Sequence, residues 1–160
     1  YLGKAIDKPA KPFVIILGGA KVSDKIALIE NMLPKVDAIL IGGGMAYTFL
    51  KSQGISIGNS LLEADKVETA RDILQKAEKA NVKIVLSQDF VAITNFKDPS
   101  GRKTIGVPIP DGWSGVDIGP ETIKAFKKVL STAYGKATDT STRKDRERDL
   151  QQYHTIWRNR

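Results

Sequence analysis

Phe13-Val14-Ile15-Ile16-Leu17-Gly18-Gly19-Ala20-Lys21-Val22-Ser23-Asp24-Lys25-Ile26 begins as an unbroken apolar run rich in β-branched residues, stops on two glycines, and passes into a polar segment carrying two lysines. A continuous apolar run without alternation is the pattern of a strand buried on both faces. Within Asp24 to Leu33, Ile26, Ile29 and Leu33 recur at helical spacing, and Pro34 closes the segment because it cannot continue an α-helix. A second apolar run, Ala38-Ile-Leu-Ile41, ends at Gly42-Gly-Gly44. Strand, helix and strand over about 30 residues make a βαβ unit, whose parallel strands need a crossover.

The same alternation continues outward from this unit. The sequence predicts a short helix over Ala46 to Lys51 and a longer one opening at Ser60-Leu-Leu-Glu63, which has the form of a capping box, with Val67, Ala70, Leu74 and Ala77 as its apolar stripe. A third strand over Lys83 to Leu86 leads into Asp89-Phe-Val-Ala-Ile93, and Lys97 to Arg102 reads as a turn through Asp98-Pro-Ser-Gly101. A last amphipathic helix follows Gly119-Pro120, with Ile123, Phe126, Leu130 and Ala133 on one face. Alternating strands and helices imply an α/β fold: an open, mostly parallel, Rossmann-like sheet with helices on both faces. In such sheets ligands sit beyond the carboxyl ends of the strands, where both glycine clusters fall.

Composition narrows the class of protein. The chain has 160 residues, 41% hydrophobic and 27% charged, enough to bury one core. It has no cysteine and a single histidine, His154, so thiolate and imidazole metal sites are not expected. Apolar runs are broken well short of the roughly 20 residues that a membrane span needs, and a cytoplasmic location is expected. The formal charge of +7 suggests phosphate-bearing partners. From Tyr134 to Arg160, seven basic residues stand against four acidic ones, so this tail supplies +3 of the +7 and the body is only mildly basic. That distribution weakens a nucleic-acid reading. At Tyr134-Gly135 the apolar periodicity gives way to Thr, Ser and alternating charges, although a doubly wound pattern calls for another strand there. Leu150, Tyr153 and Trp157 form at most a helical stripe in that tail.

Three segments carry chemistry. Gly18 to Ile26 places glycines and two lysines at a strand-to-helix junction, where backbone N–H groups, a helix N-terminus and cationic side chains favour phosphate. The bland alternative is a strand end followed by a solvated helix start. It is not a Walker A loop, since G-x-x-x-x-G-K-[ST] is absent. Gly42-Gly-Gly-Met-Ala-Tyr47 lacks the third glycine of a dinucleotide fingerprint, and reads as a flat wall for an adenine or ribose, or as a tight turn. Pro108 to Pro120 combines glycines and prolines with Trp113, and is expected to be an ordered loop packed on the domain, either as part of a site or as a structural strap.

Taken in order, Phe13 to Ile26, Ile41 to Lys51 and Ile109 to Pro120 closely resemble the phosphoglycerate kinase family, and the resemblance covers about Tyr1 to Ala133. It implies a phosphotransferase with a carboxyl-group acceptor, moving phosphate reversibly between 1,3-bisphosphoglycerate and ADP with magnesium in glycolysis. It implies that Gly19, Ala20 and Lys21 contact nucleotide phosphates, and that Lys25 is the catalytic lysine at the transferred phosphoryl group. Gly43, Gly44, Phe96, Gly115 and Val116 correspond to the walls of its adenosine pocket. Residues 1–12 read as the end of an interdomain connecting segment, 13–133 as an incomplete nucleotide-binding domain, and 134–160 as a tail foreign to the family. The family's phosphoglycerate-binding domain and its acidic metal-nucleotide segments have no counterpart here. A fragment that binds ADP or ATP with Mg2+, inactive alone and monomeric, is therefore expected. The alternative is a non-enzymatic basic module whose tail binds nucleic acid or a protein partner.

Overall fold

A computed structural model of the chain describes residues 11–137, with side-chain surroundings for 11–133. Strands β1 (Val14–Leu17), β2 (Ala38–Ile41) and β3 (Lys83–Leu86) form a parallel sheet in the order β1-β2-β3. The register pairs Leu17 with Ile41 and Ile41 with Leu86, so the three carboxyl ends finish in one row and the glycine segments that follow lie side by side.

Between the strands run α1 (Ile26–Met32), α2 (Met45–Ser52) and α3 (Val67–Lys79). Ile39 and Ile41 of β2 enter one apolar cluster with Ile29 and Met32 of α1, Met45, Ala46 and Phe49 of α2, and Ala70, Ile73 and Ala77 of α3. Ala38 and Leu40, at the alternate positions, are buried on the opposite face. On that side lies α4 (Pro120–Ala137), whose Ala125 and Val129 face β3 across a shallow groove and whose Phe126 is buried beside Gly42. The parallel α/β architecture read from the sequence is thus the one observed.

Four details depart from that reading. Among the described residues β1 pairs only with β2, so Ile16 is 39% exposed, and of the three parallel strands β2 alone is buried on both faces. Ser60 and Glu63 do not form a capping box, because α3 starts at Val67 with Lys66 before it and no side-chain cap; both side chains are engaged elsewhere. The segment Pro108 to Pro120 is not all loop: β6 (Ser114–Ile118) lies within it and joins β4 (Asp89–Ile93) and β5 (Lys103–Gly106) in an antiparallel sheet of order β5-β4-β6. This second sheet escaped the sequence reading because β5 and β6 alternate too little and contain glycine. Finally, α4 runs on to Ala137, past the change of composition at Tyr134-Gly135.

Trp113 does anchor its loop, packing on the cluster of Tyr47, Leu50, Ile57, Phe90 and Ile109 with Lys103 Nζ 5.6 Å above its ring. The expectations for residues 1–10 and 138–160, including His154 and the Leu150, Tyr153 and Trp157 stripe, lie outside the described residues.

Candidate functional site

Beyond the carboxyl ends of the parallel strands lies an open cleft of about 480 Å³. Ala20, Gly43 and Gly44 form one side, from the turns after β1 and β2; Gly115 to Ile118 of β6 form another, with Leu61 and Phe96 at the rim and Tyr47 and Phe90 at the base. The floor is built by close backbone approach. Gly42 donates its N–H to the Leu17 carbonyl at 2.9 Å, and Met45 donates to the Gly19 carbonyl at 2.9 Å. A Cβ on Gly43, whose φ is +66°, would sit 2.9 Å from the Gly19 nitrogen, so only glycine allows the two turns to touch. Opposite, a Cβ on Gly115 would lie 2.3 Å from Tyr47 Oη. Tyr47 cannot retreat, because it is buried with its ring centroid 4.8 Å from that of Phe90.

Apolar side chains at this cleft are unusually open to solvent: Phe96 is 73% exposed, Leu61 52% and Val116 46%. Among the described residues Asp117 is the one charged side chain lining the cleft, and its Oδ1 accepts from the Ile118 N–H at 2.8 Å. Burial, reinforced by the Asp117 carboxylate, holds the Tyr47 hydroxyl well above its ordinary pKa, so it stays protonated.

Six of the residues singled out in the sequence, Ala20, Gly43, Gly44, Phe96, Gly115 and Val116, therefore meet around one cleft. Gly19 packs against Gly43. Lys21 and Lys25 do not line the cleft: Lys21 is exposed next to Ala20, and Lys25 is half-buried at the start of α1. The helical turn begins at Ser23, so Lys21 precedes it and Lys25 closes it. Neither forms an ion pair among the described residues. The sequence reading missed Leu61, hidden in the apparent capping box, and Tyr47, Phe90, Asp117 and Ile118, which carry no motif of their own.

The lysine turn is held from outside. The Glu63 carboxylate accepts from the Ser23 hydroxyl at 2.7 Å, from the Ser23 N–H at 3.2 Å, and from the Val22 N–H. The Ser23 hydroxyl, with the two amides, keeps the Glu63 carboxyl below its ordinary pKa, against partial burial and the nearby Asp65 charge. On the far side of the cleft Asp89, at the start of β4, accepts from the Glu121 and Thr122 amides at 3.0 and 2.7 Å and from the Thr122 hydroxyl at 2.6 Å, and so caps α4.

A parallel α/β fold with a glycine-floored cleft beyond its strand ends is the class of structure defined by this geometry. Comparison with known proteins identifies the family: the model for "Phosphoglycerate kinase" matches residues 1–135, and the chain belongs to the phosphoglycerate kinase family. It is 59% identical over 133 residues to a phosphoglycerate kinase of Lactobacillus acidophilus, and 56% identical over 133 residues to one of Lactobacillus delbrueckii subsp. lactis. Each match covers 83% of this chain but 32% of the relative, so the chain spans about a third of the length of the curated relatives it matches. The structure of phosphoglycerate kinase from Coxiella burnetii superposes with a TM-score of 0.75 at 39% identity, covering 82% of this chain and 34% of that one. Phosphoglycerate kinase from Pyrococcus horikoshii OT3, at 24% identity and a TM-score of 0.59, shares the fold.

Proposed function

We propose that this chain is a nucleotide-binding portion of a phosphoglycerate kinase, holding ADP or ATP with the base in the cleft and the phosphates towards Gly19, Ala20, Lys21 and Lys25. One observation carries the reading: residues from three separate family segments converge on a single cleft beyond the strand ends, beside the turn that bears both lysines. A flat base suits a slot between the Gly43-Gly44 backbone and the exposed Leu61, Phe96 and Val116, since it would bury apolar surface already paid for in exposure. Phosphoryl transfer between 1,3-bisphosphoglycerate and ADP depends on positioning and on neutralising spread negative charge, which Lys21 and the catalytic Lys25 would supply in part.

Mg2+ is expected to arrive with the nucleotide. The described residues contain no group of three His, Asp or Glu side chains able to hold a metal, and the one carboxylate of the cleft, Asp117, is bonded to its own strand. The residues described here do not fit a protein-held magnesium site, and the chemistry above uses none. No described helix is long and apolar enough to cross a membrane. The chain is taken to be a cytoplasmic monomer with no nucleic-acid partner.

Turnover by this chain alone is not expected. Aligning two bound reactants can account for roughly 7 to 11 kcal/mol of a barrier, and the chain spans only about a third of the length of the relatives it matches. Titration calorimetry with ADP, beside a coupled assay, tests the reading. Measurable ADP binding, weakened about tenfold or more in Lys25→Ala because hydrogen bonds to charged groups contribute about 1.5 to 3 kcal/mol, would support it, with no turnover in either protein. ADP that leaves the amide resonances of Gly43 and Gly115 unmoved would overturn the site, and turnover lost in Lys25→Ala would overturn the claim of inactivity.

A further inference from the structure

We infer that Glu63 is a positioning residue for the phosphate side of this cleft, tying the lysine turn to the wall that faces the base; the inference rests on the nucleotide reading above. The N–H groups of Val22 and Ser23 open the helical turn after β1, and in an uncapped turn they would be the natural seat of an anion. Here a carboxylate of the protein itself occupies them: Glu63 accepts both amides and the Ser23 hydroxyl. The anionic ligand therefore cannot take those amides, and its charge falls to Lys21 and Lys25 on either side of them. Glu63 in turn fixes where those lysines start, since Lys25 donates its N–H to the Val22 carbonyl at 2.8 Å.

The other end of the same short strap is fastened to β6. Asn59 donates its N–H to the Trp113 carbonyl at 2.8 Å, and its carbonyl accepts from the Ser114 hydroxyl at 3.0 Å. The Ser60 hydroxyl accepts from the Gly115 N–H at 2.9 Å. Between these ties stands Leu61, at the cleft rim. Glu63 itself donates its N–H to Thr48 of α2 at 3.3 Å. Residues 59–63 thus run from the β6 wall to the lysine turn, bonded at Asn59 and Ser60 at one end and at Glu63 at the other. An apparent capping box with no helix to cap is explained by this: its serine and its glutamate serve two sides of one cleft.

The test compares wild type, Glu63→Gln and Glu63→Ala in three measurements: calorimetric affinity for ADP, affinity for adenosine, and amide hydrogen exchange of Val22 to Lys25. The glutamine variant keeps the size of the side chain should the alanine variant fold poorly. Positioning predicts that ADP affinity falls about tenfold in Glu63→Ala, with a smaller fall in Glu63→Gln, while adenosine affinity changes by less than about twofold, a tenfold change being about 1.4 kcal/mol. It also predicts loss of protection at Val22 and Ser23. Equal losses for ADP and adenosine would point to general destabilisation and overturn the inference, as would unchanged ADP affinity. If wild type binds neither ligand, the nucleotide reading fails by itself, and exchange alone decides whether Glu63 holds the turn: unchanged protection at Val22 and Ser23 in both variants would overturn that too.

Discussion

Asp89→Asn should destabilise the protein by about 2 kcal/mol at neutral pH, and the deficit should disappear in acid. Asp89 is buried, and its two carboxylate oxygens take the Glu121 amide on one side and the Thr122 amide and hydroxyl on the other. In the asparagine variant one oxygen becomes an NH2 group, which sets a donor against either Glu121 N–H or the Thr122 pair. Loss of a helix N-cap acceptor costs about 0.5 to 2 kcal/mol, and loss of a negative charge from a partly buried helix start costs up to about 2 kcal/mol. These effects overlap, so about 2 kcal/mol is expected for asparagine and about 3 kcal/mol for alanine, which leaves the buried Thr122 amide without its acceptor while the Thr122 hydroxyl keeps the Asp89 carbonyl at 3.1 Å. Burial raises the Asp89 pKa, but the Thr122 hydroxyl and the two amides outweigh it and leave the folded-state value below the ordinary 3.8. A depressed carboxylate stabilises above its unfolded pKa and loses that contribution as pH falls through the folded one. The gap between wild type and Asp89→Asn should therefore be constant from about pH 6 to 8, begin to close as pH falls below about 4, where the unfolded carboxyl takes up its proton, and vanish only below the depressed folded-state value. Urea unfolding at each pH measures it: with a slope near 2 kcal/mol per molar, the midpoint should fall by about 1 M at neutral pH. A deficit under about 0.5 kcal/mol at pH 7, or one undiminished at pH 3, would refute the capping argument.

Gly43→Ala should cost about 1 to 3 kcal/mol, since its Cβ would meet the Gly19 backbone at 2.9 Å with φ at +66°, and ADP binding should fall with it; unaltered thermal unfolding would contradict the close approach. Phe126→Ala should cost about 3 to 5 kcal/mol by opening a cavity where α4 covers Gly42, and Phe126→Leu under about 2; a negligible effect on denaturant unfolding would show that α4 is not packed as described.

The parallel half of the fold was legible because its signals are local. Ala38 to Ile41 and Lys83 to Leu86 are short apolar runs that end where the strands end, and the spacing in α1 and α3 matches their buried faces. The antiparallel sheet was not legible, since β6 reads Ser-Gly-Val-Asp-Ile and its pairing with β4 passes through an irregularity at Val91 and Ala92. Such a strand exists because its partner exists, and pairing is not written in one segment. The Ser60-Leu-Leu-Glu63 error has the same origin. The spacing of a capping box is local, whereas the true partners of Ser60 and Glu63, Gly115 and the Val22-Ser23 turn, are far away in sequence. At the cleft, the residues found were those with a family counterpart, all but Phe96 in glycine segments; Tyr47 and Phe90 look like core residues in the sequence because they are core residues that also border the cleft.

The cleft residues fall into two groups that argue differently. Gly43, Gly115, Tyr47 and Phe90 have identities that the fold itself demands: two backbones in contact, a glycine under a tyrosine ring, a buried aromatic pair. Finding glycine at Gly43 or Gly115 is therefore not by itself a sign of a ligand, however well it suits one. Leu61, Phe96 and Val116 are the opposite case. Folding gains little from them, because each leaves a large part of its apolar surface in water, and single exposed apolar residues are common enough to mean nothing alone. Three of them converge on one glycine-floored slot, next to two lysines without an ion-pair partner among the described residues. A flat apolar body joined to an anionic group would bury the first set and neutralise the second, and a purely structural account of the cleft explains neither.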